Sequence, residues 1–156
     1  MRKRILALLL VVVLAVALTG CGGAKSPVSQ MPGDDGVVSI APAVKFELDR
    51  TDFTVDCDTT FQEAQDPDTG KYVIQEVQTD GFASAKGTSH HMFIPAEEPM
   101  ISQQEDGSYL IEQNVKLNKD SNTIAMLSFA AEFTLDSETG EITGTISLVD
   151  TEDVHS

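Results

Sequence analysis

His90-His91, the one histidine pair of the chain, is the first place to look for chemistry. Imidazole titrates near neutral pH and binds metals through its ring nitrogens. Adjacent residues of a strand point to opposite faces, so the two rings cannot hold one ion together unless the chain turns there. A single ring with carboxylates from elsewhere could still act as a base, and an enzyme using His90 or His91 is the catalytic alternative. Two further segments offer carboxylates in a repeated pattern: Asp66-Pro67-Asp68-Thr69-Gly70 and Asp136-Ser137-Glu138-Thr139-Gly140. Clustered carboxylates suit a hard cation, but the helical calcium loop needs an oxygen ligand where both segments place glycine. Ordinary hairpin chemistry is the expectation instead, with Asp accepting backbone N–H bonds and Gly in the left-handed position.

Cys57 lies in a run where Phe53 and Val55 alternate with Thr54 and Asp56. That places its thiol on the apolar face, and no cation nearby would lower its pKa, so a buried, inert thiol is expected. The chain has no Gly-x-Ser-x-Gly elbow, no His-Glu-x-x-His and no phosphate loop. Such signatures mark common hydrolases, zinc proteases and nucleotide enzymes. No catalytic, cofactor-binding or metal-ligating residue is therefore assigned, and no cofactor is expected. A non-catalytic binding or interaction module, for a protein partner or a small ligand, is the favoured reading. A structural spacer is its bland rival.

Charge narrows the partners. The chain carries 25 acidic and 10 basic residues, a net charge of −15. Nucleic acid is disfavoured, because its phosphates need Lys or Arg to neutralise them. The balance suits a solvated, self-repelling surface. There is no Trp, and most of the seven Phe fall on apolar faces, so they read as core rather than as a sugar-stacking platform.

The elements that must carry these groups follow a period of two. Val44, Phe46 and Leu48 alternate with Lys45, Glu47 and Asp49; Tyr109, Ile111, Val115 and Leu117 share a face with Gln113. Ala125, Leu127, Phe129, Ala131, Phe133 and Leu135 line one face of a long strand, and Ile142, Gly144, Ile146 and Leu148 line its successor. Burial of one face fixes register. Pairing Asp136 with Glu141 sets Leu135 against Ile142 and Phe133 against Gly144, all inward. Asp80-Gly81 and Asp106-Gly107 read as two-residue hairpin turns. Pro95 and Pro99 bracket a loop around Glu97-Glu98. About eight to ten strands and no long helix predict an all-β fold, either an antiparallel β-sandwich or a small up-and-down barrel.

The N-terminus has a different character. Arg2-Lys3-Arg4 precede an unbroken apolar run over 5–18, which ends in Leu18-Thr19-Gly20-Cys21. A helix over that run would extend only about 21 Å, short of a bilayer core of about 30 Å. The pattern closely resembles the export signal of bacterial lipoproteins. The resemblance covers residues 1–21 and implies cleavage before Cys21, whose thiol would carry a diacylglycerol. It implies an extracytoplasmic protein held on the cell membrane or outer membrane through that lipid, with envelope proteins as neighbours. The expected organisation is a signal peptide over 1–20, a lipidated flexible linker over 21–40 and an all-β domain over 41–156. Gly- and Pro-bearing residues 22–40 read as a tether; an edge strand at 37–40 is the alternative.

Overall fold

Alternating β-branched, aromatic and polar residues favour extended chain, because each strand can bury one face and wet the other. The computed structural model describes residues 28–85 and 90–154. It holds ten strands: β1 (Val28–Gln30), β2 (Val37–Ile40), β3 (Ala43–Leu48), β4 (Thr51–Gln65), β5 (Tyr72–Ala85), β6 (His91–Pro95), β7 (Met100–Gln103), β8 (Tyr109–Lys119), β9 (Asn122–Leu135) and β10 (Ile142–Asp153). Every pairing is antiparallel. One sheet runs β1-β10-β9-β8, with β6 and β7 end to end along the far edge of β8. In the other, β5 flanks one edge of the long β4, and β2 and β3 lie end to end along its opposite edge. Among the described residues the sheets share no ladder. The core lies between them, so the described residues form an all-β, antiparallel β-sandwich.

The inward faces interleave aromatic rings. Phe61 of β4 meets Phe133 of β9 at 5.1 Å between centroids, and Phe82 of β5 stacks on Phe129 at 5.4 Å. Phe53, Phe61, Phe82, Phe129 and Phe133 are all 2 % exposed or less. Burying each such ring contributes about 1.5–3 kcal/mol, and these cross-sheet contacts hold the two layers together. The β9–β10 register is the one its burial pattern requires: Leu135 pairs with Ile142 and Phe133 with Gly144. A Cβ on Gly144 would lie 2.7 Å from the Phe133 ring, so the ring fills the space the glycine leaves.

Three expectations need correction. Asp80-Gly81 is not a hairpin turn but a bulge inside β5, opposite Asp58. Gly81 has φ +77°, its N–H donates to the Thr79 hydroxyl at 3.0 Å, and the Gln113 amide occupies the place a side chain would take. Positive φ in a strand serves a bulge as readily as a turn. Asp106-Gly107 does close a hairpin, but its loop has three residues, because Gln104 N–H bonds Ser108 C=O at 2.8 Å. Finally, residues 28–40 do not run free. β1 pairs with β10, and β2 pairs with β4 through the buried Val38 and Ile40. The edge-strand alternative describes 37–40, and the described sandwich includes β1 at Val28–Gln30.

Candidate binding groove

The sequence-marked groups fall apart in space. His90 stands before β6 at φ +71°, exposed, with Nδ1 3.4 Å from Asp120 Oδ1. His91 opens β6 and turns its ring edge-on to Phe53 at 5.3 Å, its Nδ1 enclosed without a partner. The rings therefore diverge, and neither lines a described pocket. Cys57 is buried and free; desolvation pushes its thiol pKa up, against weaker opposing bonds to Thr59 at 3.4 Å and Thr79 at 3.5 Å. Cys21 and residues 1–20, expected to be a signal peptide, lie outside the described residues.

The two carboxylate loops are hairpin closures. Asp66 Oδ1 accepts the N–H groups of Asp68 at 2.8 Å and Thr69 at 3.0 Å, and these bonds hold its pKa below the usual range. Asp136 Oδ1 likewise accepts the N–H groups of Glu138 at 2.9 Å and Thr139 at 3.3 Å. Gly70 and Gly140 take φ +70° and +77°. The loops also clasp each other: Tyr72 N–H donates to Ser137 C=O at 2.8 Å, and Lys71 Nζ lies 3.1 Å from Glu138 Oε1. Among the described residues no three His, Cys, Asp or Glu side chains converge on a metal position.

A built concavity lies elsewhere among the described residues. A shallow groove of about 560 Å³ crosses the outer face of the β8–β9–β10 sheet, lined by Glu97, Glu98, Met100, Glu112, Asn114 and Val149, among others. Its walls follow from local structure. The loop between Pro95 and Met100 wraps the edge of β8, tied by Ala96 N–H to Asn114 C=O at 2.9 Å. The other wall is a bulge at Val149, where the β9–β10 register slips between Leu148 and Asp150. Glu97 Oε1 accepts from the Asn114 side-chain amide at 2.6 Å, and Ser128 Oγ donates to Asn114 Oδ1 at 2.7 Å. Gln113, 3 % exposed, anchors this wall to the core. Its amide N–H donates to Glu97 C=O at 2.5 Å and its oxygen accepts Phe82 N–H at 2.9 Å.

The groove sets three carboxylates beside two well-exposed apolar side chains, Met100 at 61 % and Val149 at 65 %. That arrangement can hold a segment with positive charge and apolar surface; it offers no nucleophile poised on a base. Sequence reading reached the Glu97-Glu98 loop and the odd Gln113 but not the groove. The one available signal was Leu148-Val149, two adjacent apolar residues that break the alternation of β10. The chain matches no family model, no curated protein and no solved structure.

Proposed function

We propose that the protein is a lipid-anchored, extracytoplasmic lipoprotein whose sandwich is a non-catalytic interaction module for an envelope partner. The anchor rests on Leu18-Thr19-Gly20-Cys21 behind a basic tip and a short apolar run. The binding role rests on one observation: the groove that pairs Glu97, Glu98 and Glu112 with exposed Met100 and Val149. Isolated exposed apolar residues are normal on a soluble surface, but two flanking a built concavity suit a partner. The complementary occupant is a segment of an envelope protein bearing Lys or Arg beside apolar residues.

The anchor is tested by fatty-acid labelling and fractionation of wild type and Cys21→Ser. Wild type is expected to take label and sediment with membranes; the variant loses both. An unmodified Cys21 in the wild type defeats the anchor. The groove is tested in the acylated protein by cross-linking in intact cells, comparing wild type with Glu97→Lys/Glu98→Lys/Glu112→Lys. Loss of specific adducts in the charge-reversed protein supports the groove, and an unchanged adduct pattern defeats it.

A further inference from the structure

Glu63 is the strangest residue of the interior. It lies on the inward face of β4, 4 % exposed, and both carboxyl oxygens are enclosed with no hydrogen-bond partner. Its strand neighbours on that face are apolar: Phe61 precedes it, and Ile74 of β5 stands opposite. Across the core at this end lie Phe133 and the Tyr109 ring, 5.1 Å and 6.3 Å from Phe61. At this end of the surrounding elements stand Asp34 and Asp35 before β2, Tyr72 and Glu76 on β5, Glu132 on β9 and Tyr109 on β8, whereas Asp80 of β5 and Glu112, Lys116 and Lys119 of β8 lie farther along their strands. None bonds Glu63. Asp35 accepts Val37 N–H at 3.1 Å, Glu76 accepts the Gln78 amide at 2.7 Å, and Lys71, in the adjoining loop, pairs with Glu138. Desolvation pushes the Glu63 pKa up, and no charge opposes it.

An unpaired carboxylate in such surroundings is unfavourable, and it is relieved by a proton or by water. Water enters where the fold is weakest. β5 holds β4 over ten paired positions, whereas β2 holds it over four. β2 also ends a strap that crosses the sandwich: β1 pairs three residues with β10, and the chain then passes to the other sheet. The strap meets β4 at Glu63 itself, whose N–H donates to Gly36 C=O at 2.8 Å. The neighbouring Gln62 amide donates to Asp35 C=O at 3.3 Å.

We propose that Glu63 is a proton-operated latch on the N-terminal strap: protonated, it leaves β1 and β2 closed across the sandwich; ionised, it lets β2 lift from β4 and admit water. The sign follows from linkage. The closed form binds the proton more tightly than the open one. Closure is most favoured below the ordinary glutamate pKa, and that advantage is lost as pH rises through the raised value. Each unit between the two pKa values is a tenfold change in the opening constant. On the lipoprotein reading the strap stands between anchor and domain. Release then frees the described strap residues 28–40 between the anchor and the rest of the sandwich. That consequence rests on the anchor; the latch does not.

The test is amide exchange on the purified acylated protein in mild detergent, between about pH 4 and about pH 8, expressed as opening constants. For wild type, β2 opening is expected to rise with pH and then level off, while β9 opening stays flat. In Glu63→Gln the β2 constant stays low at every pH, and Glu63→Met provides a second neutral side chain should the glutamine variant fold poorly. A pH-independent β2 in wild type, an unchanged β2 profile in both variants, or β9 opening in parallel with β2 would overturn the latch. Failure of the anchor reading appears separately, as Cys21 without lipid.

Discussion

Counted back from their loops, Glu63 of β4 and Phe133 of β9 hold the same place, three residues before the loop Asp. The β4–β5 and β9–β10 hairpins close through the same bonds: Asp66 to Lys71 and Asp136 to Glu141, both at 2.8 Å. Beyond the loops they diverge. The inward face of β9 reads Ala125, Leu127, Phe129, Ala131 and Phe133, every one buried. On β4 the inward series Phe53, Val55, Cys57, Thr59, Phe61 and Glu63 is equally buried but includes two polar side chains, Thr59 and Glu63. The hydroxyls of Thr59 and Thr79 bond each other at 3.2 Å, and Thr79 returns a bond to Asp58 C=O at 3.1 Å. Register slips three times along β4–β5 and once along β9–β10. One loop chemistry thus serves two interiors: a regular apolar one that holds the sandwich together, and a bulged polar one that keeps an unpaired acid against its edge strand. The difference teaches that a shared turn sets only closure, whereas the inward residues decide rigidity.

The hardest blow to this contrast is aimed at the twin positions. Phe133→Ala removes the ring that packs on Phe61 and covers Gly144, and it is expected to cost about 3–5 kcal/mol. Glu63→Met, of similar length and without the orphan carboxyl, is expected to gain about 1 kcal/mol at neutral pH. Urea unfolding with equal m-values measures both. A loss at both sites would mean that the Glu63 carboxyl has a stabilising partner, and the two interiors would then be alike.

The regular hairpin was legible in the sequence and the irregular one was not, and the cause is physical. In β9–β10 a two-residue alternation runs unbroken to Leu148, so burial alone fixes every pair. In β5 the bulges at Gln75-Glu76 and Asp80-Gly81 shift the phase between Ile74, Val77 and Phe82. Local patterning then reads one strand as two, with Gly81 as a turn. The pairing of 28–40 was hidden for another reason. Its strands have three and four residues, too short for a period to show, and they are held by partners far along the chain. The groove needed the Glu97-Glu98 loop, the buried Gln113 amide and the Val149 bulge together; the first two stood out in the sequence, and the bulge, marked only by Leu148-Val149, did not.

A smaller effect separates the loops themselves. Gly70 and Gly140 share a left-handed backbone, so an Ala at either carries strain of about 1–2 kcal/mol. A Cβ at Gly70 meets nothing within 4 Å, while at Gly140 it lies 2.9 Å from Tyr72 and 3.0 Å from Pro32. Gly140→Ala should therefore exceed Gly70→Ala by about 1 kcal/mol or more, because it pushes apart the clasp between the sheets. Thermal melts of the two variants decide this. Equal losses would show that the clasp yields freely and that the loops are equivalent in the folded protein as well as in sequence.

The smallest expected effect belongs to the ion pair across that clasp. Lys71 and Glu138 meet at 3.1 Å, but their side chains are 53 % and 71 % exposed. Water and salt screen such a pair, and holding two long side chains in one geometry offsets much of the attraction. The clasp also has a second bond that no side-chain change removes, from Tyr72 N–H to Ser137 C=O. Lys71→Ala is therefore expected to cost about 0.5 kcal/mol or less, with melting nearly insensitive to added salt. A loss above about 1 kcal/mol that vanishes in about 1 M salt would reverse the ranking. Charge, rather than backbone and ring contacts, would then join the two hairpins at their loops, and the acidic surface around them would be what Lys71 holds together.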